Sequence, residues 1–252
     1  MTGDRVLELA GVKKAFGETL IIRGTDLAIL RGEKHALIGP NGAGKSTLFN
    51  LISGRLQPTS GSIKLFGREI GGQAPHYIAR LGLSRGFQTT SAFNDLTVAE
   101  NLAIAAMRSQ GESGSIWKST RQMARVWDRV DELLRDLNLA ASKSYTVARL
   151  PYSEQRLLEL GLTLASDPAV LLIDEPTAGM SRADTDAMIS TLLSIAQGRT
   201  LILIEHDMNV VFGLADRISV LVHGQVVATG TPAEVRNDSR ARGAYLGVGG
   251  NE

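Results

Sequence analysis

The sequence predicts an α/β fold in which a mainly parallel sheet is interrupted by a helical insert. Three observations carry that expectation. Val170-Leu171-Leu172-Ile173 and Leu201-Ile202-Leu203-Ile204 are apolar without alternation, as in strands covered on both faces. Between them Met188, Ile189, Leu192, Leu193 and Ala196 form a helical stripe, so strand, helix and strand follow in order. From about Leu96 to Leu139 there is no strand signal. There Met123, Val126, Trp127, Val130, Leu133, Leu134 and Leu137 recur at the spacing of a long amphipathic helix.

The remaining elements follow along the chain. His35-Ala36-Leu37-Ile38 reads as a strand that leads into a glycine-rich loop. Leu48, Leu51 and Ile52 then share a helical face, with Gly54 as C-cap. The polar stretch Arg108–Gly114 predicts a surface loop. Ser219–Val222 and Val226–Ala228 flank His223-Gly224-Gln225 in the pattern of a hairpin. Asn237–Arg242 is polar and expected on the surface.

Composition narrows the classes. At 252 residues and 43% hydrophobic content the chain can fill one core with a subdomain. Lys+Arg 27 against Asp+Glu 26 leaves a net charge of +1, so no nucleic-acid partner is expected from bulk charge. The absence of cysteine excludes disulfides and thiolate metal sites. No run approaches the roughly 20 apolar residues of a spanning helix. Met1-Thr2-Gly3-Asp4-Arg5 also lacks the apolar run of a secretory signal, so a cytoplasmic protein is expected.

Gly39-Pro40-Asn41-Gly42-Ala43-Gly44-Lys45-Ser46-Thr47 contains G-x-x-x-x-G-K-S after a strand and before a helix, the context that makes this motif a phosphate site. Glycines let backbone amides turn towards phosphate oxygens, and the following helix directs its positive end at them. Lys45 supplies charge for the outer phosphates, and the Ser46 hydroxyl can ligate Mg²⁺. Asp174 ends a buried strand, where its carboxylate can hold the Mg²⁺ shell, while Glu175 can orient an attacking water. His206 follows the second such strand and can contact the transferred phosphate. Read alone, acids after a strand often cap the next helix and a lone histidine is usually structural. The phosphate loop gives them their functional meaning. The sequence contains no Asn-Lys-x-Asp guanine-reading motif, which disfavours a GTPase.

Together these segments resemble the ATP-binding cassette (ABC) family over nearly the whole chain. Gly39–Thr47 matches its Walker A motif, and Leu171–Glu175 is similar to Walker B, with Glu175 in the place of the catalytic carboxylate. Gln88 resembles the Q-loop glutamine that touches Mg²⁺ and signals to a membrane subunit. Ala178–Ser181 occupies the D-loop position, His206 matches the switch histidine, and Phe16 sits where the family stacks an aromatic ring on adenine. The resemblance implies a P-loop NTPase (RecA-like) core with an antiparallel β subdomain and a helical subdomain. It divides one domain over 1–252 into a nucleotide-binding core at about 1–88 and 155–252 and a helical part at about 89–154. Its ligands would be ATP and Mg²⁺, with Ser46, Gln88 and Asp174 towards the metal.

The family signature Leu-Ser-Gly-Gly-Gln is replaced here by Leu150-Pro151-Tyr152-Ser153-Glu154. In the family this segment closes on ATP held by a second subunit. Pro151 removes a hydroxyl and an N–H donor, and Ser153 replaces a glycine. Ser153 is expected to N-cap the helix through Leu157, Leu158 and Leu162, with Glu154 in its first turn. Arg80–Gln88, Thr97–Asn101, Tyr152–Arg156, Thr177–Met180, Ile204–Met208 and Ala244–Gly247 resemble the ATPases of branched-chain amino acid and urea/amide uptake systems. That likeness implies a peripheral ATPase on the cytoplasmic face of the inner membrane. It would work with a second ATPase subunit, identical or not, two permease subunits and an external solute-binding protein. The alternatives are a urea/amide importer, an exporter or lipid-extraction ATPase, and a soluble non-transport ABC protein. The last usually carries two cassettes, zinc-binding cysteines or long coiled-coil insertions, none of which is found in this sequence.

Overall fold

A computed structural model describes residues 4–86, 92–109 and 120–246. The elements in chain order begin with β1 (Arg5–Phe16), β2 (Thr19–Leu30), β3 (Lys34–Ile38), α1 (Lys45–Ile52), β4 (Ser60–Leu65), β5 (Arg68–Glu69), α2 (Pro75–Arg80) and β6 (Leu83–Gly86). Next come α3 (Val98–Ser109), α4 (Thr120–Asp136), α5 (Tyr152–Leu164), β7 (Val170–Asp174) and α6 (Arg182–Ile195). The chain closes with β8 (Thr200–Ile204), α7 (Met208–Leu214), β9 (Arg217–Val222), β10 (Gln225–Gly230), α8 (Pro232–Asn237) and α9 (Ser239–Leu246). It divides into two compact units, Met1–Leu83 with Ala169–Glu175 and Ala196–Glu252, and Ser84–Pro168 with Pro176–Ile195. The second unit therefore contains α5 and α6 as well as the stretch 89–154.

The first unit holds two sheets. One is antiparallel, in the order β2-β1-β4-β5. The other runs β10-β9-β3-β8-β7, with β9, β3, β8 and β7 parallel and β10 antiparallel at the edge. Val170–Ile173 and Leu201–Ile204 are buried throughout, as their unbroken apolar runs predict. Phe49, Leu48, Leu51 and Ile52 of α1 join Leu7, Ile22, Ile29, Ile63 and Leu65 of the antiparallel sheet in one core. Each such side chain contributes about 1.5–3 kcal/mol through burial. Gly54 follows α1 at φ +73°, the left-handed position expected of a residue just beyond a helix end. The β9–β10 hairpin turns at His223 and Gly224, with φ +45° and +75°, the paired positive values that match a two-residue turn to strand twist.

A polar chain crosses the middle of this sheet. His35 is fully buried; its Nδ1–H donates to Glu33 Oε1 at 2.5 Å, and its Nε2 lies 2.8 Å from the Ser219 hydroxyl. That hydroxyl lies 2.7 Å from Thr229 Oγ1. Glu33, His35 and Ser219 thus satisfy one another where water is excluded, and the chain ends at exposed Thr229 on β10.

In the second unit, α3 starts on a reciprocal cap. The Thr97 hydroxyl accepts from the Glu100 amide at 3.2 Å, and Glu100 Oε2 accepts from the Thr97 amide at 2.7 Å. The bonds that the Thr97 amide and hydroxyl donate to this carboxylate hold its pKa below the ordinary value. Val98, Leu102 and Ala106 of α3 are buried, as are Val126, Val130, Leu133, Leu134 and Leu137 of α4 and Leu158 of α5. Gly161 permits close helix approach, because a Cβ there would lie 2.7 Å from Leu137 Cδ1 and 2.8 Å from Leu102 Cδ2. Two members of the predicted stripes face outward: Trp127 is 40% exposed and Leu193 is 39% exposed. Each follows a stripe residue that already points inward, Val126 and Leu192, and the next helical position is turned by about 100°. The predicted Arg108–Gly114 loop begins later, since Arg108 and Ser109 close α3; 110–114 lie outside the described residues.

Candidate nucleotide site

The phosphate loop joins β3 to α1 and is shaped by its backbone. A Cβ on Gly39 would lie 2.1 Å from the Leu221 carbonyl oxygen, and one on Gly44 would lie 2.8 Å from Ile22 Cδ1. Gly42 and Gly44 take φ values of +78° and +103°, which L side chains rarely adopt. Helix α1 begins at Lys45, directly after this turn, so its first-turn amides are presented without intrahelical acceptors. The loop is also braced from outside. The Gly224 amide donates to Ala43 O at 2.9 Å, and Gly224 O accepts from the Arg23 amide at 2.9 Å and the Thr25 hydroxyl at 2.8 Å.

Lys45 is buried, and its ammonium donates to Gly39 O at 2.7 Å and Pro40 O at 3.0 Å. Burial pushes its pKa below the ordinary lysine value, and the carboxylates of Glu175 and Asp174 pull it partly back. A buried cation in a loop where Gly39 and Gly44 leave no room for a Cβ fits a polyphosphate.

Asp174 ends β7 and Glu175 follows it, registered on β8 by the Glu175 amide donating to Ile204 O at 2.9 Å. Glu175 has φ +50°, a conformation that costs a non-glycine residue roughly 1–2 kcal/mol and marks functional positions. His206 Nε2–H donates to Glu175 Oε1 at 2.7 Å, and both side chains are solvent-accessible. The backbone at His206 is held in turn by buried Glu205, whose Oε2 accepts from the His206 amide at 2.9 Å. Asp207 caps α7 by accepting from the Asn209 amide at 2.8 Å. The arrangement joins a glycine-rich cradle, a buried cation and two successive carboxylates, one of them hydrogen-bonded to a histidine. Ser46 and Asp174 carry hard oxygen donors of the kind that would suit Mg²⁺.

Phe16 ends β1 and is 49% exposed, with Lys14 Nζ 5.0 Å from its ring centroid. Gln88 lies outside the described residues.

The signature-position segment belongs to the second unit, and there one expectation is corrected. Ser153 does not cap α5. The helix begins one residue earlier, at Tyr152, with Pro151 as the N-cap residue and no side-chain cap bond. Proline's fixed φ suits this boundary: Pro151 sits extended at φ −54°, ψ 154°, and its carbonyl accepts from the Gln155 amide at 3.0 Å. Ser153 is thereby drawn into the first turn beside Glu154. The Glu154 Oε2 accepts from the Ser142 hydroxyl at 2.5 Å, and Gln155 Nε2 donates to Leu150 O at 2.9 Å. After the loop at Ala178–Ser181, Ser181 starts α6 by accepting from the Asp184 amide at 3.2 Å. Sequence reading missed the brace from Gly224 and the role of Glu205. The glycine at the centre of a predicted hairpin and an acid directly after a buried strand were their only signals.

Known proteins extend this picture. A family model described as "ABC transporter" matches residues 22–178, and one described as "Branched-chain amino acid ATP-binding cassette transporter" matches 225–251. The chain is 36% identical to the high-affinity branched-chain amino acid transport ATP-binding protein BraF of Pseudomonas aeruginosa, over 96% of this chain and 98% of that protein. It is 35% identical to LivG, the protein of the same description in Escherichia coli, over the same shares. Among solved structures it resembles a nucleotide-free ATP-binding cassette from an ABC transporter, with TM-score 0.83 and 28% identity over 96% of this chain and 98% of the other. The ADP conformation of MJ1267, an ATP-binding cassette of an ABC transporter, matches with TM-score 0.83 and 28% identity over 96% of this chain and 99% of that one. With a P-loop cradle around Lys45, a Glu175–His206 pair and full-length relatives of this kind, the chain belongs to the ABC transporter family as an ATP-binding, ATP-hydrolysing subunit.

Proposed function

We propose that this subunit energises the uptake of branched-chain amino acids, working with a second ATPase subunit, two membrane permeases and an external solute-binding protein. The observation that carries the solute class is full-length likeness to BraF and LivG, joined to the family match at 225–251. Among the described residues no helix is long and apolar enough to cross a membrane, which supports a peripheral subunit that borrows its pathway from permeases. Its place is then the cytoplasmic face of the inner membrane.

In the reaction, the loop amides and Lys45 hold the phosphates in line, and Phe16 offers its exposed ring to adenine. Mg²⁺, held by Ser46 and Asp174 with Gln88 as a further ligand, would supply charge neutralisation at the outer phosphates. Glu175 orients the attacking water as its oxygen bonds to the γ-phosphorus and the bond to the β–γ bridging oxygen breaks. His206, already hydrogen-bonded to Glu175, is placed to turn its N–H towards the transferred phosphoryl. Leu150–Glu154 closes on the nucleotide of the other subunit. Pro151 offers it neither hydroxyl nor N–H, so this contact is weaker than usual and a partner with a fuller signature compensates.

The test is reconstitution with the co-purifying membrane and binding-protein subunits. ATP hydrolysis should rise when the binding protein is loaded with leucine, and Glu175→Gln should lower turnover by about 100-fold while ATP still binds. Stimulation by urea or a sugar in place of leucine would sink the solute assignment. Equal turnover in wild type and Glu175→Gln would sink the catalytic assignment.

A further inference from the structure

Tyr152 is a half-exposed aromatic residue at the first position of α5, yet its hydroxyl is committed. It donates to the Ala178 carbonyl at 2.9 Å, 26 residues further along the chain. The ring edge lies against the same loop: a Cβ on Gly179 would stand 3.5 Å from the Tyr152 hydroxyl oxygen and 3.7 Å from Cε1. Gly179 turns the loop at φ +76°, and the Met180 amide donates to Thr177 O at 3.1 Å, so the carbonyl that receives Tyr152 sits in a defined turn. On the helix side Pro151 fixes the approach of the chain, and the Arg156 guanidinium lies 5.9 Å from the ring centroid.

We propose that Tyr152 is a positioning residue. It ties the segment Leu150–Glu154 to the loop Ala178–Ser181, so that the two answer together when a second subunit's nucleotide is engaged. The loop follows Glu175 by three residues in the chain. The tie therefore links the segment that meets the partner's ATP with the backbone leaving this subunit's own water-orienting carboxylate. A glycine at position 152 would have no side chain with which to make this bond. The tyrosine carries out through its hydroxyl a task that backbone atoms and Pro151 cannot perform. Because the bond is exposed, it adds little to the stability of the fold. Its effect falls on the arrangement of two loops. The inference rests on the two-subunit reading above.

The experiment compares wild type, Tyr152→Phe and Gly179→Ala in the assembled transporter, with Glu175→Gln as the control for subunit closure. Glu175→Gln should associate with the co-purifying ATPase subunit on adding Mg·ATP, seen by light scattering of the mixed subunits. If it stays monomeric, the two-subunit reading falls and this inference with it. With closure established, Tyr152→Phe should lower kcat about fivefold, the effect of one lost neutral hydrogen bond. KM for ATP and the melting temperature should stay near wild type. Gly179→Ala should lower kcat similarly, and the double variant should be no worse than the more impaired single variant. Wild-type kcat in Tyr152→Phe would overturn the assignment, as would a loss expressed wholly in KM or fully additive losses in the double variant.

Discussion

The phosphate loop and the signature-position segment are built in opposite ways. Around Gly39–Thr47 the shape is made by backbone: Lys45 is held by two carbonyls, Gly224 braces Ala43, and Gly39 lies against the Leu221 carbonyl. Around Leu150–Glu154 it is made by side chains: Gln155 holds Leu150, Ser142 holds Glu154, and Tyr152 holds Ala178. A backbone-built site dictates its residues, because only glycine fits where a Cβ would overlap a carbonyl. A side-chain-built site can reach a working arrangement with different residues. The loop therefore keeps its motif to the letter, and the signature position can hold Pro151 and Tyr152.

Three experiments break or sharpen that contrast. The largest effect belongs to Lys45→Ala, which removes the only buried cation of the cradle among the described residues and should cut phosphate release by at least about 100-fold. Retention of near-normal turnover would mean that loop amides alone carry the phosphate charge. Pro151→Ser comes next. It restores the hydroxyl and N–H that Pro151 lacks for the trans contact, so ATPase activity in the assembled transporter should rise by up to about fivefold, the effect of one neutral hydrogen bond gained. An unchanged or lower rate would show that the proline costs the trans contact nothing. The smallest is Ser142→Ala, which deletes the hydroxyl that Glu154 accepts from. Calorimetry should register about 1 kcal/mol of lost stability, with ATP affinity unchanged. A change in affinity would break the separation between the side-chain-held segment and the cradle.

Legibility in the sequence follows the same division. The strands Val170–Ile173 and Leu201–Ile204, the hairpin around His223-Gly224 and the long helix at Val126–Leu137 were readable because each is imposed by local periodicity or turn chemistry. Asp174, Glu175 and His206 stand out only beside the phosphate loop, because without it acids after a strand read as helix caps and a lone histidine as structural. Ser153 was misread as a cap. Serine is the better capping residue, but the fixed φ of Pro151 decides where the helix begins. The Gly224 brace and the Tyr152–Ala178 bond join residues far apart in sequence, and no local pattern announces such pairings. The same is true of the left-handed backbone of Glu175 and its bond to Ile204, which its residue type does not announce.

The polar chain of buried Glu33, His35 and Ser219, ending at exposed Thr229, has a consequence for assembly of the sheet. Strands as uniformly apolar as Ala36–Ile38 and Val220–Leu221 could slide past one another by two residues and still bury hydrocarbon against hydrocarbon. With His35 facing Ser219, such a slip would strand an imidazole and a carboxylate in a dry interior, a penalty far larger than any regained packing. The four polar groups therefore act as an alignment pin. Misthreaded sheets are rejected during folding, and the Leu221 carbonyl arrives where the phosphate loop must later lean on it.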